Sequence, residues 1–149
     1  MGWVIVQAIL FALIIFLPIE SQFSLPMWAK LVSELLSGLG LIILMKAVYD
    51  LRQSLSVSPT PRDDGQLQTE GIYNWVRHPM YISVWLIMGG AVVRSGSYAK
   101  IALFAALIVF FILKVRYEEK LLKQKYPDYA KYAQKVGGFF PRITDRVTY

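Results

Sequence analysis

The sequence contains no cysteine and a single histidine, His78. The absence of cysteine excludes disulfide bonds, thiolate metal ligands and a cysteine nucleophile in this chain. Zinc in proteins is held mainly by cysteine and histidine together with carboxylates, so this composition argues against a zinc centre. We therefore predict a protein without a metal site.

Acidic residues are scarce as well, with 10 Asp and Glu against 16 Lys and Arg, which gives a net charge of +6. A basic balance can indicate nucleic-acid binding. However, 56% of the 149 residues are hydrophobic and the mean hydropathy is +0.45, above the apolar share of about half in soluble domains. The apolar residues form long runs, so we predict an all-α integral membrane helical bundle with no nucleic-acid partner.

Four apolar runs predict about four transmembrane helices in a single membrane domain, residues 1–149. The runs are Gly2–Ile19, Met27–Tyr49, Pro79–Val93 and Ile101–Val115. The third is short for a full span, and whether it crosses completely stays open. A signal peptide is the rival interpretation of the first run, which lacks a basic leader and a small-residue cleavage site.

The segments around these runs are polar. Residues 50–70 form the longest polar stretch, with turn signals at Ser58-Pro59-Thr60-Pro61 and Asp63-Asp64-Gly65. Pro127 ends the helix that continues from the fourth run, and residues 128–136 have the pattern of a short amphipathic helix. After it, Phe139-Phe140-Pro141 can lie on the bilayer surface.

Basic residues indicate the orientation of the bundle. With four spans, both termini and the loop 50–78 lie on one side, which receives 13 of the 16 Lys and Arg residues. The other side receives Lys30, Arg94 and Lys100. By the positive-inside rule the basic side is cytoplasmic. The stretch Gly71–Tyr81 and the pair Glu118-Glu119 are then expected at the cytoplasmic ends of the third and fourth spans.

The stretch Gly71–Tyr81 has the composition of a ligand site where water meets lipid. Pro79 suits the first turn of a helix, whose free N–H groups favour an anionic group such as a carboxylate. His78 can donate and accept hydrogen bonds at the same place. An Arg-His-Pro at the start of a span is also a common interfacial anchor, and this alternative stays open.

Two tyrosines and two glutamates complete the candidate site. Tyr73 and Tyr81 offer hydroxyls and ring faces, and a ring face attracts a cation such as a sulfonium. Glu118 and Glu119 can accept hydrogen bonds from an amine or from ribose hydroxyls. The set matches a ligand with a carboxylate, an ammonium, a ribose and a positive sulfur. Alternatively, the glutamates are a solvated helix end paired with Lys114 or Lys123.

Several motifs occur together in one order. They are Ser-Val-Ser-Pro-Thr-Pro at 56–61, Leu67 to Gly71 with Tyr73, Arg77-His78-Pro79-Met80-Tyr81, Glu118-Glu119-Lys120-Leu121-Leu122, and Tyr129 with Tyr132 and Val136. In this order they resemble the isoprenylcysteine carboxyl methyltransferase family, which is similar to the phospholipid methyltransferases. The resemblance covers about Ser56 to Pro141, and the first two runs carry no family signal.

The resemblance implies S-adenosylmethionine as methyl donor and a lipophilic acceptor that arrives through the bilayer. Residues 1–50 would be an N-terminal helical hairpin, and 51–149 the cofactor-binding methyltransferase core. Carried over by position, the cofactor-binding residues are Leu67, Gln68, Tyr73, His78, Pro79, Met80, Tyr81, Glu118 and Glu119. Lys114 and Arg116 are the candidates for contacting an anionic acceptor.

The family position two residues after Tyr81 is usually Gly, and this chain has Ser83, which is expected to widen one helix contact. The acceptor stays open among a prenylated cysteine carboxyl, a phospholipid amine, a small thiol and another lipophilic acid. Membrane reductases that use NADPH also carry an Arg-His-Pro-x-Tyr stretch, usually with Asn where this chain has Met80. A non-enzymatic lipid-binding protein is the third alternative.

Overall fold

The computed structural model describes residues 2–18, 20–52 and 66–142. They form five α-helices: α1 (Gly2–Phe16), α2 (Met27–Leu51), α3 (Pro79–Ser95), α4 (Tyr98–Lys125) and α5 (Tyr129–Lys135). A short 3-10 helix covers Gly71–Asn74. Over these ranges the only β pairing is an isolated bridge, so the all-α prediction is confirmed there. The motif at 56–61 and the turn at 63–65 lie outside the described residues.

Two of these helices, α2 with 25 residues and α4 with 28, are long and apolar enough to cross a bilayer. Only 17% and 22% of their most apolar windows are buried within the protein, so most of each helix faces outward. The 15 residues of α1 and the 17 of α3 fall short of the roughly 20 that a span needs. The prediction of four spans is therefore not confirmed.

Helices α2 and α3 pack closely where small residues meet. A Cβ on Gly40 would lie 2.8 Å from the carbonyl oxygen of Ser83, and a Cβ on Gly90 would collide with the carbonyl of Ser33. Ser83 is fully buried at this contact. Helices α2 and α3 thus approach closely at Gly40, whereas Gly38 faces open space.

Helix α1 lies against α4. Trp3 stacks on Tyr117 with ring centroids 5.7 Å apart. About two turns further along the same face, Phe11 meets Phe111 edge-on at 6.2 Å. The apolar core where these helices meet α3 consists of Ile14, Val92, Leu107 and Phe111.

The turn between α3 and α4 consists of Gly96 and Ser97. Gly96 ends α3 in a left-handed conformation with φ 63°, and Ser97 caps α4 by accepting from the Lys100 amide. The carbonyl of Gly96 also accepts from the Gln22 amide at 2.8 Å. This end of the bundle is therefore closed by the α1–α2 connection, and the ionisable groups discussed below lie at the opposite end.

Candidate functional site

The 3-10 helix Gly71–Asn74 is fixed to the end of α2. One carboxylate oxygen of Asp50 accepts from the Ile72 amide at 2.8 Å. Gly71 adopts φ 62°, and a Cβ there would collide with the Asp50 carboxylate, so glycine is required on both grounds. This anchor places Tyr73, which is only 6% exposed, against the bundle.

The backbone that leads into α3 pairs with the segment after α5. Val76 and Gly137 form a parallel bridge. The Arg77 amide donates to the carbonyl of Gly137 at 2.9 Å, and the His78 amide donates to Gly138 at 3.1 Å. The segment after α5 therefore holds the backbone that carries the histidine.

Phe139 covers the histidine from the same segment. Its ring centroid lies 5.9 Å from that of His78 and 4.6 Å from that of Trp85. We expected residues 139–141 on the bilayer surface. Phe140 and Pro141 are exposed, Phe140 at 80%, whereas Phe139 is half-buried against the rings of His78 and Trp85. Phe139 therefore belongs to the site.

Glu119 is the centre of an ionic cluster that joins three parts of the chain. Its Oε1 accepts from Arg77 Nη2 at 2.6 Å and lies 3.0 Å from His78 Nε2. The same guanidinium donates through Nη1 to the carbonyls of Ala133 at 2.9 Å and Val136 at 2.5 Å. Glu119 thereby ties α4 to the start of α3, and Arg77 ties both to α5.

Glu118 faces a different set of partners. Its Oε2 accepts from the Tyr81 hydroxyl at 2.7 Å, the only hydrogen bond that Glu118 makes within the described residues. One turn earlier on α4, Lys114 Nζ lies 5.6 Å from the centroid of the Tyr81 ring and donates to Gln7 Oε1 at 2.6 Å. Tyr81 therefore lies between the carboxylate and the ammonium.

A cavity of about 540 Å³ opens between α4 and the segment after α5. Its charged lining is Arg77, Arg116, Glu119 and Arg142, three cations against one anion. Its apolar and backbone lining is Ile112, Val115, Gly137, Gly138, Phe139, Phe140 and Pro141. Its volume falls within the range of small-molecule sites.

The structure brings five of the predicted cofactor residues into one cluster, consisting of Tyr73, His78, Tyr81, Glu118 and Glu119. The ring centroids of His78 and Tyr81 are 5.7 Å apart, and Pro79 occupies the first turn of α3 between them. His78 contacts both Glu119 and Phe139, so the cluster and the cavity share a wall.

Three other predicted cofactor residues are not joined to this cluster by the contacts seen. Gln68 donates its side-chain amide to the carbonyl of Glu70 at 3.2 Å, within its own segment. Leu67 is half-buried in that segment. Met80 is half-buried on α3, and its carbonyl accepts from the Ser83 hydroxyl.

The two candidates for contacting the acceptor point to different sides of α4. Two residues along an α-helix turn the side chain by about 200°. Lys114 is 4% exposed and faces α1, whereas Arg116 is exposed and lines the cavity. They cannot both hold one anionic group at the same place.

The site also includes residues that the sequence did not single out. Arg77 belongs to the recognised motif, yet its role as the link between Glu119 and α5 depends on partners far along the chain. Gln7 lies within the first apolar run, and no local pattern indicates its contact with Lys114. Asp50 lies at the start of the polar stretch 50–70, and no local pattern indicates its bond to Ile72.

Buried tyrosine hydroxyls in this region stay protonated at neutral pH. Burial, reinforced by the negative charge of Glu118, raises the pKa of Tyr73 above its usual range. Burial, with Glu119 nearby, likewise raises the pKa of Tyr129, which is 1% exposed. Tyr132 is neutral for the same reason and donates its hydroxyl to the Tyr73 carbonyl at 2.5 Å. The hydroxyls of Tyr73 and Tyr132 therefore act as hydrogen-bond donors and not as anions.

Among the described residues, the Arg-His-Pro-x-Tyr turn is ion-paired to the Glu118-Glu119 end of α4, so two of the motifs that carry the methyltransferase resemblance meet in the structure. The phospholipid methyltransferase family matches residues 28–129, and the chain belongs to this family. The resemblance predicted from the motifs is confirmed. Helix α1 lies outside the matched range.

Individual relatives carry two kinds of name. The chain is 32% identical over 115 residues to the cobalt-zinc-cadmium resistance protein CzcN of Cupriavidus metallidurans, covering 76% of this chain and 52% of that protein. It is 31% identical over 109 residues to the protein-S-isoprenylcysteine O-methyltransferase of Schizosaccharomyces pombe, covering 70% and 46%. The chain thus spans about half the length of these curated relatives. Within the described ranges no three His, Asp or Glu side chains gather as a metal site.

Proposed function

We propose that the protein is an integral membrane methyltransferase that uses S-adenosylmethionine as donor and methylates a lipophilic acceptor, as isoprenylcysteine carboxyl methyltransferases do. One observation carries the proposal. Residues of the two motifs that are distant in sequence meet, with Tyr81 on Glu118 at 2.7 Å and His78 at 3.0 Å from Glu119.

The residues present fit the donor. Glu118 uses one oxygen for Tyr81, and its second oxygen can accept from an ammonium or from ribose hydroxyls. The Tyr81 ring offers a face to a positive sulfur. When bound, S-adenosylmethionine supplies a methyl group whose carbon bonds to the acceptor as the carbon–sulfur bond breaks and its electron pair stays on sulfur.

The two glutamates have different tasks in this proposal. Tyr81 orients Glu118, which holds the donor directly. Glu119 is already engaged by Arg77 and His78, so it fixes the imidazole and does not bind the donor through the oxygen it has committed. His78 then presents its remaining ring nitrogen to the ligand.

The remaining predicted residues keep supporting roles. Pro79 lies at the start of α3 beside the cluster, whereas Met80, Leu67 and Gln68 are assigned to the donor by the family resemblance alone. Positioning and exclusion of water are the means of rate enhancement, because a methyl transfer to a carboxylate requires no proton removal. Phe111, 5.0 Å from the Tyr81 ring, and Phe139 supply the apolar surroundings.

Under this proposal, the protein lies in the membrane and crosses it more than once. The basic residues favour both termini and the active site on the cytoplasmic side. The outward-facing apolar surfaces of α2 and α4 support membrane insertion. Cysteine substitution at Arg94 and at Gln124, followed by labelling with a membrane-impermeant thiol reagent, tests the orientation because the chain has no native cysteine.

Calorimetry of the purified protein in detergent tests the donor. We expect binding of S-adenosylmethionine and no binding of NADPH, and binding of NADPH alone would favour the reductase alternative. Glu118→Ala is expected to abolish donor binding, with Glu34→Ala as the matched control, since Glu34 is exposed at the far end of the bundle. Failure of the wild-type protein to bind the donor would overturn the proposal.

A further inference from the structure

The face of α1 that contacts α4 carries one polar residue. Trp3, Gln7, Phe11 and Ile14 follow each other at spacings of four, four and three, so they lie on one side of the helix. Trp3, Phe11 and Ile14 pack against α4 or the apolar core, as an apolar contact requires. Gln7 is the exception, and its side chain reaches Lys114.

Lys114 is a buried cation that makes no salt bridge with a carboxylate of the described residues, and the charge of Glu118 acts on it from one turn along α4. It is 4% exposed, and no carboxylate within the described residues lies within 4.0 Å of its Nζ. Its contacts are the neutral Gln7 amide oxygen at 2.6 Å and the face of Tyr81 at 5.6 Å. A buried ammonium with three N–H donors is costly unless an anion compensates it. The site therefore has the chemistry of a receptor for an anion.

The position of this ammonium relates it to the proposed donor site. Tyr81, whose ring Lys114 faces, donates to Glu118 at 2.7 Å. An anionic group paired with Lys114 would therefore lie close to Tyr81, about one helical turn from the carboxylate proposed to hold the donor. An amine placed there would be repelled by the ammonium, so the charge selects among the acceptors that the family resemblance left open.

We propose that Gln7 of α1 is a positioning residue that aims the Lys114 ammonium at the carboxylate of a lipophilic acid, and that α1 is part of the acceptor site. The inference rests on the proposed function and extends it, because α1 lies outside the matched range 28–129. Gln7 fixes one N–H of the ammonium and leaves the other two for the acceptor. A neutral amide is suited to this task because it orients the cation without neutralising it.

Two variants of Gln7 separate positioning from packing. Gln7→Leu keeps the volume and removes the hydrogen bond. Gln7→Glu keeps a hydrogen-bond acceptor and supplies an anion that occupies the ammonium. A structural role would leave Gln7→Glu intact or more stable, whereas a role in acceptor binding predicts that Gln7→Glu is at least as defective as Gln7→Leu. Gln124→Leu, on the exposed end of α4, is the matched control.

The measurement is tryptophan quenching in lipid nanodiscs, without S-adenosylmethionine, by a brominated stearate and by the matched brominated stearyl alcohol and octadecylamine. Trp3 lies one turn from Gln7 and reports on this site. We expect the wild type to prefer the carboxylate. Gln7→Leu should weaken carboxylate binding by about tenfold, the effect of one hydrogen bond to a charged group, and leave alcohol binding unchanged. Gln7→Glu should abolish the preference.

Equal binding of acid and alcohol by the wild type would overturn the inference, as would a preference for the amine or unchanged acid binding in both variants. Equal weakening of acid and alcohol in Gln7→Leu would also overturn it, because packing alone would explain that result. The donor calorimetry described above distinguishes the two proposals. A wild type that binds the donor without preferring the acid refutes only the role of Gln7, and the reverse result refutes only the proposed donor.

Discussion

Glu118 and Glu119 are neighbours in sequence, and the structure predicts opposite consequences for their replacement. Glu118→Gln should lose donor binding with little change in stability. Glu119→Gln should mainly lose stability. The reason is that Glu118 accepts one hydrogen bond, from Tyr81, whereas Oε1 of Glu119 lies within hydrogen-bond distance of Arg77 and His78.

The magnitudes follow from burial. Removing one partner of a buried ion pair costs about 3–5 kcal/mol. The side chains of Arg77 and Glu119 are 12% and 19% exposed, and glutamine can still accept a hydrogen bond, so we expect about 2 kcal/mol for Glu119→Gln. For Glu118→Gln, which weakens a single hydrogen bond, we expect about 0.5–1 kcal/mol.

Thermal unfolding in detergent measures the loss of stability in each variant, and calorimetry with S-adenosylmethionine measures the loss of donor binding. Glu34→Gln is the control for charge removal, since the Glu34–Arg94 pair is exposed and its atoms are 3.4 Å apart. Arg77, which loses its ion pair in Glu119→Gln, also holds α5 through the carbonyls of Ala133 and Val136. Limited proteolysis should therefore cut this variant after α4. Equal loss of stability in both variants, or normal donor binding in Glu118→Gln, would refute this division of roles.

Further predictions concern packing, backbone conformation and pH. Gly40→Val should lower the free energy of unfolding by about 1–3 kcal/mol because its Cβ would crowd α3, whereas Gly38→Val, facing open space, should not change it in the same thermal assay. Gly71→Ala should cost about 1–2 kcal/mol because of its φ of 62°, with far-ultraviolet circular dichroism to verify folding. The raised pKa of Tyr129 means that the folded protein retains a proton which the unfolded chain releases above a pH of about 10. Stability should therefore be complete below that pH and fall above it, as tyrosinate absorbance during alkaline titration would show; ionisation of all tyrosines at the ordinary pKa would contradict this.

Local signals in the sequence predicted the helices well. Pro79 begins α3 and Pro127 follows the end of α4 because proline is suited to a first helical turn and interrupts a helix interior. The motif order indicated which parts of the chain belong to one family. The number of spans was not predictable in the same way, because α1 and α3 have apolar composition but end too soon to cross unaided.

The hydrogen-bond and ion-pair partners of individual side chains could not be predicted from the sequence. Gln7 and Lys114 are 107 residues apart, and their contact depends on how α1 lies against α4. Lys114 and Arg116 were equivalent candidates in the sequence, and only the rotation of α4 assigns one to α1 and the other to the cavity. Likewise, the pairing of Glu119 with Arg77 could be decided only by the approach of two helix ends.

The bond between Arg77 and the carbonyl of Val136 joins residues 59 positions apart, and the adjacent backbone pairing at Gly137 and Gly138 spans a similar distance. During synthesis His78 therefore leaves the ribosome before the segment after α5, which pairs with its backbone. The start of α3, which carries His78, can form its backbone hydrogen bonds to the segment after α5 only when the chain has reached Gly138. Under the proposed function, the donor site is consequently completed late in synthesis, after α3 and α4 have been made.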